Sequence, residues 1–192
     1  MNPWWKHLPM RVIAGQAKGR ALRSLRGSAM RPTSARVRAA LFSILGDTVL
    51  NGPFLDLYAG TGAVGIEALS RGAPWADFVE QYRAACDVLR RNLAAAGCAE
   101  RARVIPLPVA RFLTRPADRT YAVVFADPPY GAGEVERVLA SLAGWSGLTP
   151  ETLVVVQHSS REEVRAEGWR LVRRESYGDT RLSFFRPEEG AL

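Results

Sequence analysis

The sequence predicts an α/β fold, a doubly wound and mainly parallel sheet with a small basic extension in front of it. Three observations carry this. From Pro53 onward, short apolar runs alternate with amphipathic runs of helical period, the pattern of parallel strands joined by crossover helices. The last two strand-like runs, Trp169 to Glu175 and Thr180 to Phe185, are separated by a turn at Tyr177-Gly178-Asp179, and so short a turn joins antiparallel strands. Ahead of Pro53 the chain is rich in arginine and reads as a hairpin and a helix.

In order, Arg11 to Gly15 and Arg20 to Leu25 alternate weakly around Gly15 to Gly19 and read as a β-hairpin carrying Arg11, Lys18, Arg20, Arg23 and Arg26. A lone hairpin is marginally stable, so it must lean on the rest. Arg31-Pro32-Thr33 opens a helix whose apolar stripe is Val37, Leu41, Ile44 and Leu45, and Gly46 ends it. Strands are expected at Phe54 to Tyr58, Ala76 to Glu80, Arg103 to Pro106, Tyr121 to Ala126 and Thr152 to His158. Helices are expected at Ala63 to Arg71, Arg83 to Ala96 and Glu134 to Ala143, with a shorter one at Ala110 to Thr114. Residues 1–50 form the extension, 51–187 the main domain and 188–192 a tail.

The 192 residues suffice for one domain with a core, and 47% hydrophobic content argues against global disorder. A net charge of +7 favours a polyanionic partner, although Lys6 and Lys18 are the only lysines and the arginine excess fits GC-rich coding equally well. Cys86 and Cys98 have no Cys or His nearby at metal spacing, so no metal site or disulfide framework is expected. Two thiols suit a reducing cytosol, and a cytoplasmic location is expected. No apolar run approaches the roughly 20 residues of a membrane span, and Met1 to Met10 lacks the apolar core of a signal peptide.

Ala59-Gly60-Thr61-Gly62-Ala63-Val64-Gly65 comes directly after the first main strand and satisfies G-x-G-x-x-G, a loop whose glycines let the backbone approach a nucleotide-like ligand. Glu80 ends the next strand, 24 positions after Asp56, where an acid can hold ribose hydroxyls. On this segment alone an NAD enzyme is a rival. Asp56, four residues before the first glycine, favours a loop that holds a methionine ammonium, and no segment after the sheet is long enough for a dehydrogenase's substrate domain.

Asp127-Pro128-Pro129-Tyr130 lies just past the fourth strand-like run of the sheet. In an open parallel sheet, ligands bind beyond the carboxyl ends of the strands, so this segment shares a rim with the glycine loop. An exocyclic amine on a base is a poor nucleophile because its lone pair is delocalised into the ring. The Asp127 carboxylate and the Pro128 carbonyl, fixed by two proline rings, can accept its hydrogens and orient the lone pair, while Tyr130 offers a stacking face. Such a site works by position and electrostatics. The bland alternative is a proline-rich loop.

These segments, with Arg11-Val12-Ile13-Ala14-Gly15, Lys18-Gly19-Arg20, Arg31-Pro32-Thr33, Arg36-Val37-Arg38, Leu41-Phe42 and Gly65-Ile66-Glu67-Ala68-Leu69-Ser70-Arg71-Gly72, make the chain resemble the bacterial RsmD-type 16S rRNA (guanine-N2)-methyltransferases, over Met10 to Phe185. The resemblance implies a Rossmann-like, seven-stranded S-adenosylmethionine-dependent methyltransferase fold with an N-terminal hairpin and helix, and no metal. It implies that Asp56, Tyr58, Ala59, Gly60, Thr61, Gly62 and Glu80 bind the donor, that Asp127, Pro128, Pro129 and Tyr130 form the amine site, and that Arg11, Lys18, Arg20, Arg23, Arg36 and Arg38 contact rRNA. The implied partner is 16S rRNA, free or in an assembling small subunit, met by a monomer without a membrane. One departure from the family pattern is Pro108, where a polar side chain is expected against adenine; backbone groups of Val109 and Ala110 would take its place. Trp4-Trp5-Lys6 precedes the family's usual start. The alternatives are an N6-adenine or other amino-group methyltransferase, an NAD-binding protein and a non-enzymatic RNA-binding protein.

Overall fold

The computed structural model describes residues 10–25, 33–129, 131 and 133–190. Strands β1 (Met10–Arg11) and β2 (Ala21–Leu22) pair antiparallel. Helix α1 (Ala35–Leu45) comes next, and then β3 (Phe54–Leu57), α2 (Ala63–Ser70), β4 (Ala76–Val79), α3 (Arg83–Ala96), β5 (Ala102–Ile105), α4 (Val109–Leu113), β6 (Val123–Ala126), α5 (Glu134–Leu142), β7 (Leu153–Ser159), β8 (Trp169–Tyr177) and β9 (Thr180–Pro187).

Seven strands form one sheet in the order β5-β4-β3-β6-β7-β9-β8. The pairs β5/β4, β4/β3, β3/β6 and β6/β7 are parallel, while β9 runs antiparallel to both neighbours. This is the predicted architecture. The chain builds outward from β3 through β4 to β5, then returns to the other side of β3 with β6, so the topological switch point lies between β3 and β6. Every residue of β3, β4 and β6 is buried, as expected where helices cover both faces. One face packs Leu41, Phe42, Ile66, Leu69 and Leu89 against Phe54 and Phe78. The other packs Val135, Leu139, Leu142 and Trp145 against Leu55, Val124 and Val154. Among the described residues, no helix is long and apolar enough to cross a membrane.

The hairpin of the basic extension is seated both by Val12, Ala17 and Leu22, which are buried in the core, and by its main chain. Glu67 on α2 is fully buried and accepts the N–H groups of Ile13 at 2.8 Å and Ala14 at 3.0 Å. Ser70, also buried, accepts from the Ala17 N–H through its hydroxyl at 2.9 Å, and its carbonyl accepts from Gln16. A Cβ on Gly15, whose φ is +81°, would stand 1.9 Å from the Ser70 carbonyl oxygen, so this approach requires glycine. The hairpin predicted over Arg11 to Leu25 is therefore real but has only two paired residues per strand; its intervening turn is gripped by α2 instead.

Candidate active site

Register sets the site. Leu57 pairs with Val79 on one side and Ala126 on the other, and Ala126 pairs with Val156. One residue further along each strand come Glu80, Tyr58, Asp127 and Gln157, in a row across the carboxyl edge at the switch point. Tyr58 has φ +61°, the only described non-glycine residue in the left-handed region. Strain of this kind concentrates at functional sites. Here it turns the chain out of β3, so that the Ala59 N–H reaches the Val79 carbonyl at 3.0 Å. Tyr58 is half-buried, and burial, with the Glu134 charge, pushes its phenol up to about 12.

The glycine loop is held from below and from the side. Asp56 is buried, and its carboxylate accepts the Gly65 N–H at 2.8 Å. It thus satisfies a donor in the first turn of α2, where the N-cap residue Gly62 has no side chain to do so. Burial raises the Asp56 carboxyl to about 8, against the pull of the Gly65 N–H and with help from the Asp127 and Glu80 charges. Asp56 therefore lies beneath the loop and fixes it. Glu80, 4% exposed, accepts from Gly60 at 2.8 Å with one oxygen and from Tyr82 at 2.8 Å with the other. A Cβ on Gly60 meets nothing within 4 Å, whereas one on Gly62 would lie 2.0 Å from Leu89. Gly60 faces open space; Gly62 is a packing glycine. Tyr58, Ala59, Gly60 and Thr61 form a half-exposed rim.

Pro108 is the N-cap residue of α4, so Val109 and Ala110 open that helix. Their N–H groups belong to the first turn, which intrahelical bonding leaves unpaired. Val109 is buried and Ala110 exposed.

Asp127 stands on the other side of Tyr58. Burial pushes its carboxyl up to about 7, opposed by hydrogen bonding from Gln157 and Thr33. Pro128 is buried and Pro129 exposed. Tyr130 lies outside the described residues. Gln157 is 3% exposed, and its Oε1 has no partner among the described atoms. Thr33 and Gln157 are site residues that sequence reasoning misses. Gln157 is the polar residue ending the apolar run of β7, which is a usable local signal. Thr33 is brought in from before α1 by the tertiary fold and carries no local signal.

Of the expected RNA contacts, Arg11, Lys18, Arg20, Arg23 and Arg36 are exposed. Arg26 lies outside the described residues, as does Trp4-Trp5-Lys6. Arg38 is a correction. It is 1% exposed, lies 3.7 Å from Glu67 and donates to the Arg11 carbonyl. It supports the hairpin from inside and presents no surface to RNA. Burial lowers its pKa, and Arg71, which bonds Glu67 at 2.8 Å, adds to the lowering.

Comparison with known proteins decides the family. Residues 10–186 match the family model described as conserved hypothetical protein 95. The chain belongs to this family, the RsmD family. It is 34% identical over 186 residues to ribosomal RNA small subunit methyltransferase D of Escherichia coli, covering 89% of this chain and 93% of that one. It is 33% identical over 172 residues to the protein of the same name from Haemophilus influenzae, covering 88% and 89%. The solved structure of yhhF from Escherichia coli superposes with a TM-score of 0.82 at 34% identity, covering 94% of this chain and 99% of that one. As an RsmD-family chain, it carries its Arg-rich hairpin, glycine loop and Asp127-Pro128-Pro129 segment within the matched span.

Proposed function

We propose that this protein transfers a methyl group from S-adenosylmethionine to the exocyclic N2 amine of a guanine in 16S rRNA. The observation that carries the reading is the switch point itself. An open glycine-loop rim that begins at Tyr58 and a half-buried carboxylate, Asp127, stand on adjacent strand ends. A donor seated on the rim would lie beside the amine site. Relatives named as small-subunit rRNA methyltransferases support the substrate class.

Bound there, S-adenosylmethionine supplies an electrophilic methyl carbon. Tyr58 to Thr61 would line it, Glu80 would accept from the ribose with its remaining lone pairs, and the N–H groups of Val109 and Ala110 would face adenine. Asp127 and the Pro128 carbonyl would accept the two amine hydrogens, leaving the lone pair in line with the methyl carbon. The guanine must leave any stack to reach this point, and Tyr130 would receive it. Arg11, Lys18, Arg20, Arg23 and Arg36 would meet phosphates. The protein would act as a monomer in the cytoplasm, on 16S rRNA that is free or within an assembling small subunit.

The test is tritiated methyl transfer to small-subunit rRNA, with mass analysis of the product nucleosides. N2-methylguanosine is expected; N6-methyladenosine or no transfer would overturn the reading. Thermal shift adds a cofactor check, since a ligand at 100 times its Kd stabilises by ~2.7 kcal/mol. S-adenosylhomocysteine should produce that shift and NAD should not.

A further inference from the structure

Asn92 lies on the inward face of α3 and is 1% exposed. Its carboxamide is fully engaged on one side by the hairpin and on the other by the glycine loop. Oδ1 accepts the Arg23 N–H at 2.7 Å; Nδ2 donates to the Arg23 carbonyl at 3.0 Å and to the Thr61 carbonyl at 2.9 Å. Arg23 comes directly after β2, and the amide pairs with its main chain as a neighbouring strand would. Thr61 lies between Gly60 and Gly62. The three bonds leave the amide a single orientation, because reversing it would set Oδ1 against two carbonyls.

We infer that Asn92 is a positioning residue that couples RNA engagement by the hairpin to the shape of the donor loop, so that each ligand raises the affinity of the other. The inference rests on the proposed function, in which the hairpin holds rRNA and the loop holds S-adenosylmethionine. Phosphates drawn to Arg20 and Arg23 order the chain at Arg23. The same amide then holds Thr61 with less residual motion, and the donor meets a loop whose ordering has already been met. Coupling between two binding sites is reciprocal and commonly amounts to about 5- to 150-fold.

The experiment measures S-adenosylhomocysteine affinity by calorimetry with and without a saturating small-subunit rRNA fragment, and rRNA affinity with and without saturating S-adenosylhomocysteine. Wild type should tighten by about 5-fold or more in both directions. In Asn92→Ala both ratios should fall to 1. Asn92→Asp is nearly isosteric and keeps the acceptor for the Arg23 N–H, but it turns a carboxylate toward the Arg23 and Thr61 carbonyls; its ratio should also collapse. A residue with a merely structural role would lower melting temperature in these variants and leave the ratio unchanged. Independent binding of the two ligands to wild type, or a coupling ratio preserved in both variants, overturns the inference. Failure of wild type to bind or methylate rRNA would instead defeat the proposed function on which it rests.

Discussion

Glu80 accepts the N–H of Gly60 at 2.8 Å across the gap between two strand ends. The acid just past β4 thereby sets the curvature of the loop after β3, while its second oxygen holds Tyr82 at the start of α3. A carboxylate suits this place because it offers acceptors on both oxygens. In Glu80→Gln one of the two N–H groups faces an NH2 group instead. A lost bond to a buried group costs about 1–3 kcal/mol, so S-adenosylhomocysteine affinity should fall roughly 5- to 150-fold by calorimetry. Affinity within 2-fold of wild type would show that the loop holds its shape without Glu80.

Gly60 has φ +55° and open space where a side chain would project. Gly60→Val should strain the backbone and fill the donor's place, abolishing measurable S-adenosylhomocysteine binding while the circular dichroism spectrum stays native. Retained affinity would move the donor site away from this rim.

Asp127→Ala removes the carboxylate that the proposed function aims at the reacting amine. Methyl transfer should drop ~100-fold or more, as for loss of one preorganised polar contact, with donor affinity nearly unchanged. Tritium incorporation run beside a donor titration checks both halves. A near wild-type rate would assign amine orientation to another group.

Burial raises Asp127 to about 7 and Asp56 to about 8. Both sit above the ordinary carboxylate range, so the fold favours their neutral forms. Their contribution to stability is complete below about pH 4 and is lost as pH rises through the raised values. Melting temperature should therefore decline between pH 5.5 and 8.5, and Asp127→Asn should flatten part of that decline. Methyl transfer should run the other way, rising through about pH 7 as Asp127 ionises into an acceptor. A rate independent of pH between 5.5 and 8.5 would contradict this.

Deleting residues 1–26 offers, from sequence alone, a way to weaken RNA binding with donor binding intact. Contacts with Glu67, Ser70 and Asn92 make that deletion a blunt instrument, because it strips hydrogen-bond partners from three buried polar side chains. Arg20→Ala with Arg23→Ala spares the main-chain contacts. Each lost phosphate contact should reduce the slope of log affinity against log salt by about 1. An unchanged slope in a filter-binding series would place the phosphates elsewhere.

Most of the sheet is legible in the sequence because its strands are short apolar runs bounded by glycine, proline and polar residues. The loops leaving the parallel strands gather at one sheet edge, and Asp127 and the glycine loop are legible for that reason. Arg36 and Arg38 show where such reading stops. In sequence they are equivalent cations on one helix, yet the helical period sets them about 200° apart, so they face in nearly opposite directions. The apolar stripe through Leu41 and Leu45 turns Arg38 inward, but that a carboxylate, Glu67, meets it there is decided only by the tertiary fold. Thr33 acts on Asp127, Asn92 on Thr61 and Glu67 on Ile13, partners 31 to 94 positions away along the chain, at distances where no local periodicity carries information.

The grip on Ile13, Ala14, Gln16, Ala17 and Arg23 is a grip on peptide groups. Nothing in it reads the side chains that point outward from the same stretch. Lys18, Arg20 and Arg23 can thus be exchanged without loosening the mount, much as a tool bit is exchanged in a chuck. Under the proposed function, a scaffold of this kind would be retargeted to a different fold of RNA by rewriting a handful of exposed positions, while Gly15 and the buried partners beneath it stay as they are.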